Sequence, residues 1–245
     1  MNSSEKVKYI SNWIKSYVDK MPSKAQSLVI GISGGIDSSV SSTLSALTGL
    51  KTIVLSMPIK QKDHQHDLSL KHQEWLVKNF KNVEAHTINL DKLFESFSST
   101  LSKFDNEHGF ANSRARLRMA TLYQVAAANK GIVVGTGNKV EDFGVGFYTK
   151  YGDGGVDISP IADCNKTDVW KLGKELGILK EIIDAPPTDG LWDDGRTDEG
   201  QLGFKYEDLE DAMKNSNSPH RKEYENIRNK NLHKMEPIPV CKIPN

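Results

Sequence analysis

A short run rich in glycine and serine, SGGIDS at 33–38, is the segment of this chain best suited to bind a phosphate group. It follows the apolar, β-branched stretch 27–32, which is typical of a buried strand. It leads into 38–47, which has a helical pattern. Glycines let a backbone approach a ligand closely, and the N–H groups at the start of a helix attract anions. The sequence therefore predicts a phosphate-binding turn between a strand and a helix, to which serine hydroxyls can add donors.

The aspartate inside this run, Asp37, conflicts with simple anion binding because its charge would repel phosphate. A carboxylate fits there if it binds a divalent cation that bridges to the phosphates. The run matches neither G-x-x-x-x-G-K-[ST] nor G-x-G-x-x-G, the two common nucleotide-binding patterns. A glycine-rich structural turn is the alternative interpretation.

The elements that must position this turn alternate between strand and helix along the chain. Strands are expected at 27–32, 52–57, 83–90 and 131–135. Helices are expected at 5–20, 38–47, 66–80, 111–129, 166–176, 205–214 and 219–232. This alternation predicts an α/β fold, with a doubly wound, mostly parallel sheet covered by helices on both faces. Asp91 is expected to be an N-cap, and two long segments, 144–155 and 184–203, are expected to be functional loops.

Composition excludes several classes of protein. The 245 residues contain 32 Lys plus Arg and 32 Asp plus Glu. A net charge of zero argues against nucleic acid and membrane surfaces as partners, since both attract basic proteins. No apolar run approaches the ~18 residues of a membrane span, and the first 20 residues lack the apolar core of a signal peptide. Cys164 and Cys241 are expected to be reduced thiols in a cytoplasmic protein.

The run at 33–38 resembles the pyrophosphate loop, or PP-loop, of the ATP pyrophosphatases. These enzymes have an adenine nucleotide alpha hydrolase-like fold and split ATP between its α and β phosphates. Later segments select among the members of this superfamily: NSRARLR at 112–118, GTGNKVE at 135–141 and GFYTKYGDGGVD at 146–157. Three pairs follow, Asn165-Lys166, Pro187-Thr188 and His233-Lys234. This ordered set is similar to the ammonia-dependent NAD synthetase family over nearly the whole chain.

The resemblance implies one NAD synthetase domain over residues 1–245, with no glutaminase domain and free ammonia as the nitrogen donor. It implies that ATP activates the nicotinate carboxylate of deamido-NAD as an acyl-adenylate, which ammonia then converts to NAD. This chemistry depends on charge neutralisation and alignment, so no side chain is assigned as catalytic. A homodimer with substrate sites at the subunit interface is implied as well.

The resemblance also implies a role for individual residues. Those expected to bind ATP are Gly31, Ile32, Ser33, Gly34, Gly35, Ile36, Asp37, Ser38, Thr136, Lys166 and Thr188. Those expected to bind deamido-NAD are Arg116, Lys150, Asp157, His233 and Lys234. Asp37 and Glu141 are expected to bind Mg²⁺, which prefers hard oxygen ligands shared with phosphate. Glu141 and Gly146 are five positions apart, one more than is common in the family, so Asp142 is the alternative ligand.

Several of these residues have a simpler interpretation. Arginines on a long helix usually form a solvated face, as Arg114, Arg116 and Arg118 could, and Lys150 and Asp157 could form loop salt bridges. Three histidines, His64, His66 and His72, could bind a metal, but a solvent-facing position is favoured. An acidic lid is favoured over a metal site for Asp193, Asp194, Asp198 and Glu199. The helix at 111–129 could pack against a second subunit or inside the monomer.

Two other functions stay open on the sequence. One is another amide-forming or thiolating ATP pyrophosphatase. The other is a nucleotide-binding sensor with the same sheet and no turnover. The pair of carboxylates, Asp37 and Glu141, favours an enzyme, because a simple binding protein has less use for a bridging metal.

Overall fold

The central element is a sheet of four parallel strands. The structure, a computed structural model, describes residues 1–60, 63–187 and 198–244. The strands are β1 (Ser27–Gly31), β2 (Lys51–Ser56), β3 (Val83–Thr87) and β4 (Gly131–Val133). Their spatial order is β3-β2-β1-β4, and each neighbouring pair is parallel. All four predicted strands are confirmed, although β3 and β4 end earlier than expected.

The helices surround this sheet. They are α1 (Ser3–Lys20), α2 (Ile36–Leu47), α3 (Asp63–Asn79), α4 (Asp91–Thr100), α5 (Glu107–Ala128), α6 (Lys166–Glu175), α7 (Lys180–Ile183), α8 (Asp198–Leu202), α9 (Tyr206–Lys214) and α10 (Arg221–Met235). The seven helices expected from the sequence are present, and α4, α7 and α8 are additional. Within the described ranges no helix combines the length and apolar composition needed to cross a membrane.

The sheet is covered on both faces, as predicted for a doubly wound fold. Successive residues of β1 point to opposite sides, so Leu28 and Ile30 join one core cluster and Val29 joins another. The first cluster includes buried residues of α1, α2, α3 and α6, and the second includes those of α4 and α5. In α5, Leu122 is buried against this protein's own sheet, while the neighbouring Tyr123 is 38% exposed.

The strand order fixes where a ligand can bind. From β1 the chain moves outward to β2 and β3, and it then returns to place β4 on the other side of β1. In open parallel sheets, ligands occupy the crevice at the carboxyl ends of the strands where the order reverses. The segments after β1 and β4 leave the sheet side by side at this point, since the Val134 N–H donates to the Val29 carbonyl at 2.9 Å.

The predicted capping role of Asp91 is wrong. Asp91 is the first residue of α4, and the N-cap position belongs to Leu90. The Asp91 carboxylate accepts hydrogen bonds from the Lys60 N–H at 2.6 Å and from the Asn89 side chain at 3.0 Å. It therefore joins the end of the β2 segment to α4, a contact that local sequence does not reveal.

The predicted solvent-facing position is also wrong for His72. Its imidazole is fully buried, with Nε2 3.0 Å from the Ser42 hydroxyl and the ring stacked on Trp75 at 5.6 Å. Burial lowers the pKa of His72 to about 4. The His64 side chain lies outside the described residues.

The depressed pKa of His72 makes the free energy of unfolding depend on pH. Above pH 6.5 the imidazole is neutral in both states. Below that pH the unfolded chain binds a proton that the folded chain does not bind until about pH 4, so stability is lost across this window. We expect the loss attributable to His72 to reach roughly 3 kcal/mol at pH 4. Urea unfolding of the wild type and of His72→Gln between pH 7 and pH 4 measures it.

A matched control is His233→Gln, because His233 is exposed on α10. The curve of His72→Gln should fall less steeply with acid than the wild-type curve, while that of His233→Gln should stay close to the wild type. Parallel curves for the wild type and His72→Gln would contradict this account.

Candidate active site

The glycine-rich turn after β1 is held in shape by its own serines. Gly34 has a φ of 90°, a conformation that favours glycine. The Ser38 hydroxyl donates to the Gly35 carbonyl at 3.0 Å and accepts from the Ser33 N–H at 3.2 Å, and the Ser39 hydroxyl also donates to Gly35 at 3.0 Å. The serine hydroxyls expected to contact phosphate are thus engaged within the turn.

The backbone of this turn presents the remaining donors. Helix α2 begins at Ile36, and its N-cap residue, Gly35, has no side chain to cap the first N–H groups. The side chains of Ile32 and Ile36 are buried in the core. These two residues and Gly31, the last residue of β1, can therefore offer only main-chain atoms to a ligand.

A charged centre lies beside the turn. Lys166 is 1% exposed, and its Nζ is 2.5 Å from Asp37 Oδ2 and 2.9 Å from Glu141 Oε1. Burial by itself would lower the pKa of Lys166, but the two carboxylates outweigh it and hold that pKa above its usual value. Lys166 is also the first residue of α6, where the helix dipole disfavours a cation. The two carboxylates therefore stabilise the charged form of Lys166 at this buried position.

The pair of carboxylates suits a magnesium ion. Asp37 and Glu141 come from the segments after neighbouring strands, and both direct an oxygen at one position, which the Lys166 ammonium occupies. Mg²⁺ takes hard oxygen ligands and commonly shares one or two carboxylates with substrate phosphates. In the described part of the chain, no group of three or more His, Cys, Asp and Glu side chains could hold a metal alone. A metal at this position would take its remaining ligands from water and substrate.

A single π turn at Glu141–Val145 gives the two neighbouring acids different surroundings. The Val145 N–H donates to the Val140 carbonyl at 3.0 Å, a bond that spans one residue more than in an α-helix. The π turn thus ends directly before Gly146. The Asp142 carboxyl packs against Gly137 instead, where a Cβ would lie 2.1 Å from it. Burial raises the pKa of Asp142 well above its usual range, with further increases from Asp153 and Glu141.

Asn138 is a residue of this centre that sequence reasoning missed. It is fully buried, and its Nδ2 donates to Asp37 Oδ1 at 3.1 Å. Its Oδ1 accepts the N–H groups of Val140 and Glu141, each at 3.0 Å. Asn138 therefore ties the Asp37 carboxylate to the backbone of Val140 and Glu141. Its place between Thr136 and Glu141, directly after a strand at the crevice, was the signal that could have identified it.

Most of the residues predicted to bind the dinucleotide lie in the segment at 147–157 or contact it. The Arg116 Nε donates to the Lys150 carbonyl at 3.2 Å. The Lys234 Nζ donates to the Tyr148 carbonyl at 2.7 Å, and the Tyr148 hydroxyl donates to the Lys234 carbonyl at 2.6 Å. Helices α5 and α10 are thereby attached to the same segment, with Lys234 half-buried and His233 exposed on α10.

Asp157 has a structural role at the edge of β4. Its Oδ2 accepts the Val133 N–H at 2.7 Å, and its Oδ1 accepts the Tyr123 hydroxyl at 3.0 Å. Burial and the neighbouring Asp157 charge raise the pKa of Tyr123 to about 12. The loop salt bridges considered for Lys150 and Asp157 do not occur among the described contacts; the Lys150 Nζ lies 5.6 Å from the centre of the Tyr151 ring.

The alternative interpretation of the arginines on α5, a solvated face, does not describe two of the three. The Arg118 Nε donates to the Met57 carbonyl at 2.9 Å, and the Arg114 guanidinium lies 5.0 Å from the centre of the Phe94 ring. Arg116 is exposed. Of the other expected site residues, Thr188, Asp193 and Asp194 and the Asp198 side chain lie outside the described residues.

The fold and the charged centre define the class of this protein. A parallel sheet, a glycine turn leading into a helix and a carboxylate pair at the crevice are the arrangement of a PP-loop ATP pyrophosphatase. The chain belongs to the NAD synthase family, whose model matches residues 6–243.

Relatives and a solved structure extend this match to nearly the full chain. The NH(3)-dependent NAD(+) synthetase of Carboxydothermus hydrogenoformans is 35% identical over 86% of this chain and 85% of its own. The NH(3)-dependent NAD(+) synthetase of Alkaliphilus metalliredigens is 34% identical over 98% of this chain and 99% of its own. The structure of NMN synthetase from Francisella tularensis superimposes with a TM-score of 0.88 at 33% identity, covering 100% of this chain and 99% of that chain.

Replacing Lys166 by methionine tests the role of the ammonium group. The change keeps the shape of the side chain and leaves two carboxylates together without their cation. We expect the metal-free variant to lose roughly 3–5 kcal/mol of unfolding free energy, the range found when one partner of a buried ion pair is removed. Added Mg²⁺ should restore part of this loss, because the metal takes the place of the ammonium. Urea unfolding with and without Mg²⁺ measures both effects.

The matched control is Lys139→Met. Lys139 pairs with Asp163 at 2.7 Å, but this pair is exposed to solvent. It should contribute at most about 1 kcal/mol, with no response to Mg²⁺. Equal stability of the two variants in metal-free buffer would refute the role given to Lys166.

Proposed function

We propose that this protein catalyses the ATP-dependent amidation of deamido-NAD with ammonia, giving NAD, AMP and pyrophosphate. The nicotinate carboxylate attacks the α-phosphorus of ATP, and pyrophosphate leaves. Ammonia then attacks the carbonyl of the acyl-adenylate, AMP leaves, and a proton is released. The family membership supports this reaction over a sensor or a thiolating enzyme.

The observation that carries the proposal is the convergence of Asp37 and Glu141 beside the glycine turn. Bound Mg²⁺ would neutralise the phosphate charge and favour departure of pyrophosphate. The backbone at 33–38 and the start of α2 are suited to hold the phosphates. Lys166 lies where its ammonium can move from the carboxylates to a phosphate oxygen. Asn138 would hold the Asp37 carboxylate beside the backbone of Glu141 during this movement.

The remaining assignments complete the proposal. Thr136, half-buried just after β4, and Thr188 belong to the ATP site. The deamido-NAD site comprises Arg116, Lys150, Asp157, His233 and Lys234. Its four basic side chains suit an anionic dinucleotide, and most of them are attached to one segment, 147–157. Asp157 acts there by fixing this segment to β4.

A second candidate substrate is nicotinate mononucleotide, amidated by the same two steps. The similarity to the Francisella tularensis NMN synthetase over nearly the full length of both chains favours this candidate. The two substrates share the nicotinate carboxylate and one phosphate, so the charged centre serves either of them. They differ in the adenylate half.

We also infer a homodimer in the cytoplasm. Equal numbers of acidic and basic residues and two free thiols, Cys164 and Cys241, agree with a cytoplasmic enzyme. The exposed Tyr123 on α5 lies beside the proposed dinucleotide site and offers an apolar surface to a second subunit. Free ammonia serves as the nitrogen donor in this proposal.

Product formation tests the proposed reaction. The protein is incubated with ATP, Mg²⁺ and ammonium, together with deamido-NAD, nicotinate mononucleotide or neither. We expect AMP and pyrophosphate to form in equal amounts, only when a nicotinate substrate is present, and with the larger kcat/KM for deamido-NAD. A larger kcat/KM for the mononucleotide would establish the second candidate. AMP formation that is independent of both substrates, or absent with both, would reject the proposed function.

Replacing Lys150 by alanine tests the assignment of the dinucleotide site. Losing one charge-assisted contact costs about 1.5–3 kcal/mol, so the KM for deamido-NAD should rise roughly 10- to 100-fold. The KM for ATP should change far less. Steady-state kinetics with each substrate varied in turn measures both constants. Lys51→Ala, at the amino end of β2, is the control and should leave both constants unchanged. A larger rise of the KM for ATP than of that for deamido-NAD would show that Lys150 is assigned to the wrong site.

A further inference from the structure

A buried tyrosine, Tyr206, lies against the charged centre without any role assigned to it so far. It is the first residue of α9 and is 1% exposed. Its ring packs edge-on against Trp170 of α6, with ring centres 5.7 Å apart. Its backbone N–H donates to the Glu199 carboxylate at 3.1 Å, so α8 is attached to the same point. A buried tyrosine needs a partner for its hydroxyl.

The partner of that hydroxyl is Glu141. The Tyr206 O–H donates to Glu141 Oε1 at 2.5 Å, and this oxygen also accepts from the Lys166 Nζ at 2.9 Å. The Lys166 Nζ lies 5.1 Å from the centre of the Tyr206 ring, within the range of a cation–π contact. One side chain therefore contacts both the carboxylate and the cation that now neutralises it.

Helix α9 makes a second contact beside the charged centre through Glu210. This residue is four positions after Tyr206 and so lies on the same face of the helix. Its Oε1 accepts the Thr167 N–H at 2.9 Å, and its Oε2 accepts the Thr167 hydroxyl at 2.8 Å. Because Thr167 follows Lys166, α9 holds the start of α6 through Glu210 and the carboxylate of Glu141 through Tyr206.

We propose that Tyr206 is a positioning residue that holds the Glu141 carboxylate in the orientation required by the divalent cation. The proposal rests on the proposed function, in which Glu141 is a metal ligand. A carboxylate that accepts a phenol hydrogen bond is restrained against rotation, so it need not be reoriented when a metal replaces the ammonium. Losing a hydrogen-bond partner of a metal ligand typically weakens metal binding by about 10- to 100-fold.

The variant Tyr206→Phe removes the hydroxyl and keeps the ring against Trp170 and Lys166. Free Mn²⁺ is followed by electron paramagnetic resonance as it is titrated into protein saturated with α,β-methylene-ATP. We expect the Kd of Mn²⁺ to rise by roughly 10- to 100-fold. The Mg²⁺ concentration for half-maximal activity should rise by a similar factor, while the KM for the nicotinate substrate stays within about twofold. A merely structural role would not separate these constants.

The matched control is Tyr224→Phe, which removes the hydroxyl of another buried tyrosine in the same apolar cluster. It should bind Mn²⁺ as the wild type does. A double-mutant cycle gives the second test: in a Glu141→Gln background, Tyr206→Phe should have little further effect on the Kd of Mn²⁺.

Three results would overturn the proposal. They are a wild-type Kd of Mn²⁺ in Tyr206→Phe, an equal weakening in Tyr224→Phe, and full additivity with Glu141→Gln. Failure of the proposed function is distinguishable, because it appears as a wild-type protein that forms no AMP with either nicotinate substrate. The Mn²⁺ titrations decide the role of Tyr206 in that case too.

Discussion

The rest of the active site depends on one buried interaction, the ammonium group of Lys166 between the carboxylates of Asp37 and Glu141. Two carboxylates held this close repel each other unless a cation lies between them, and a buried cation is costly without partners. The three residues come from the start of α2, the segment after β4 and the start of α6. Their pairing therefore connects the parts of the crevice, and in the proposed function it marks the position of a divalent cation.

Several surrounding contacts involve the members of this buried interaction. Asn138 links the Asp37 carboxylate to the backbone of Glu141, and the Tyr206 hydroxyl donates to the Glu141 carboxylate. The π turn at Glu141–Val145 directs Glu141 inward while it leads the chain to the 147–157 segment. In the proposed function, the metal ligand Glu141 and the nicotinate site are therefore close in the chain, which would bring the reacting carboxylate to the ATP phosphates. Alignment of this kind is the main contribution that such a reaction requires from the protein.

The sequence predicts local structure well. Apolar β-branched runs identify the four strands, and the glycine-rich run with its aspartate identifies the phosphate turn at 33–38. The sequence does not reveal which distant side chains meet: Tyr206 and Glu141 are 65 positions apart, and the buried His72 faces α2 from a helix that looks polar. Asp91 shows the same limit. The sequence predicts that it caps a helix, but its carboxylate instead contacts the segment after β2. Tertiary packing decides such contacts, and residue type alone does not encode it.

The location of the metal relative to Lys166 tests the central claim most directly. Crystals grown with Mn²⁺ and α,β-methylene-ATP would show the ion by its anomalous scattering. The account predicts Mn²⁺ bonded to oxygens of both Asp37 and Glu141 and to the phosphates, with the Lys166 ammonium displaced toward a phosphate oxygen. Mn²⁺ bound to the phosphates alone, with Lys166 still between the two carboxylates, would contradict it.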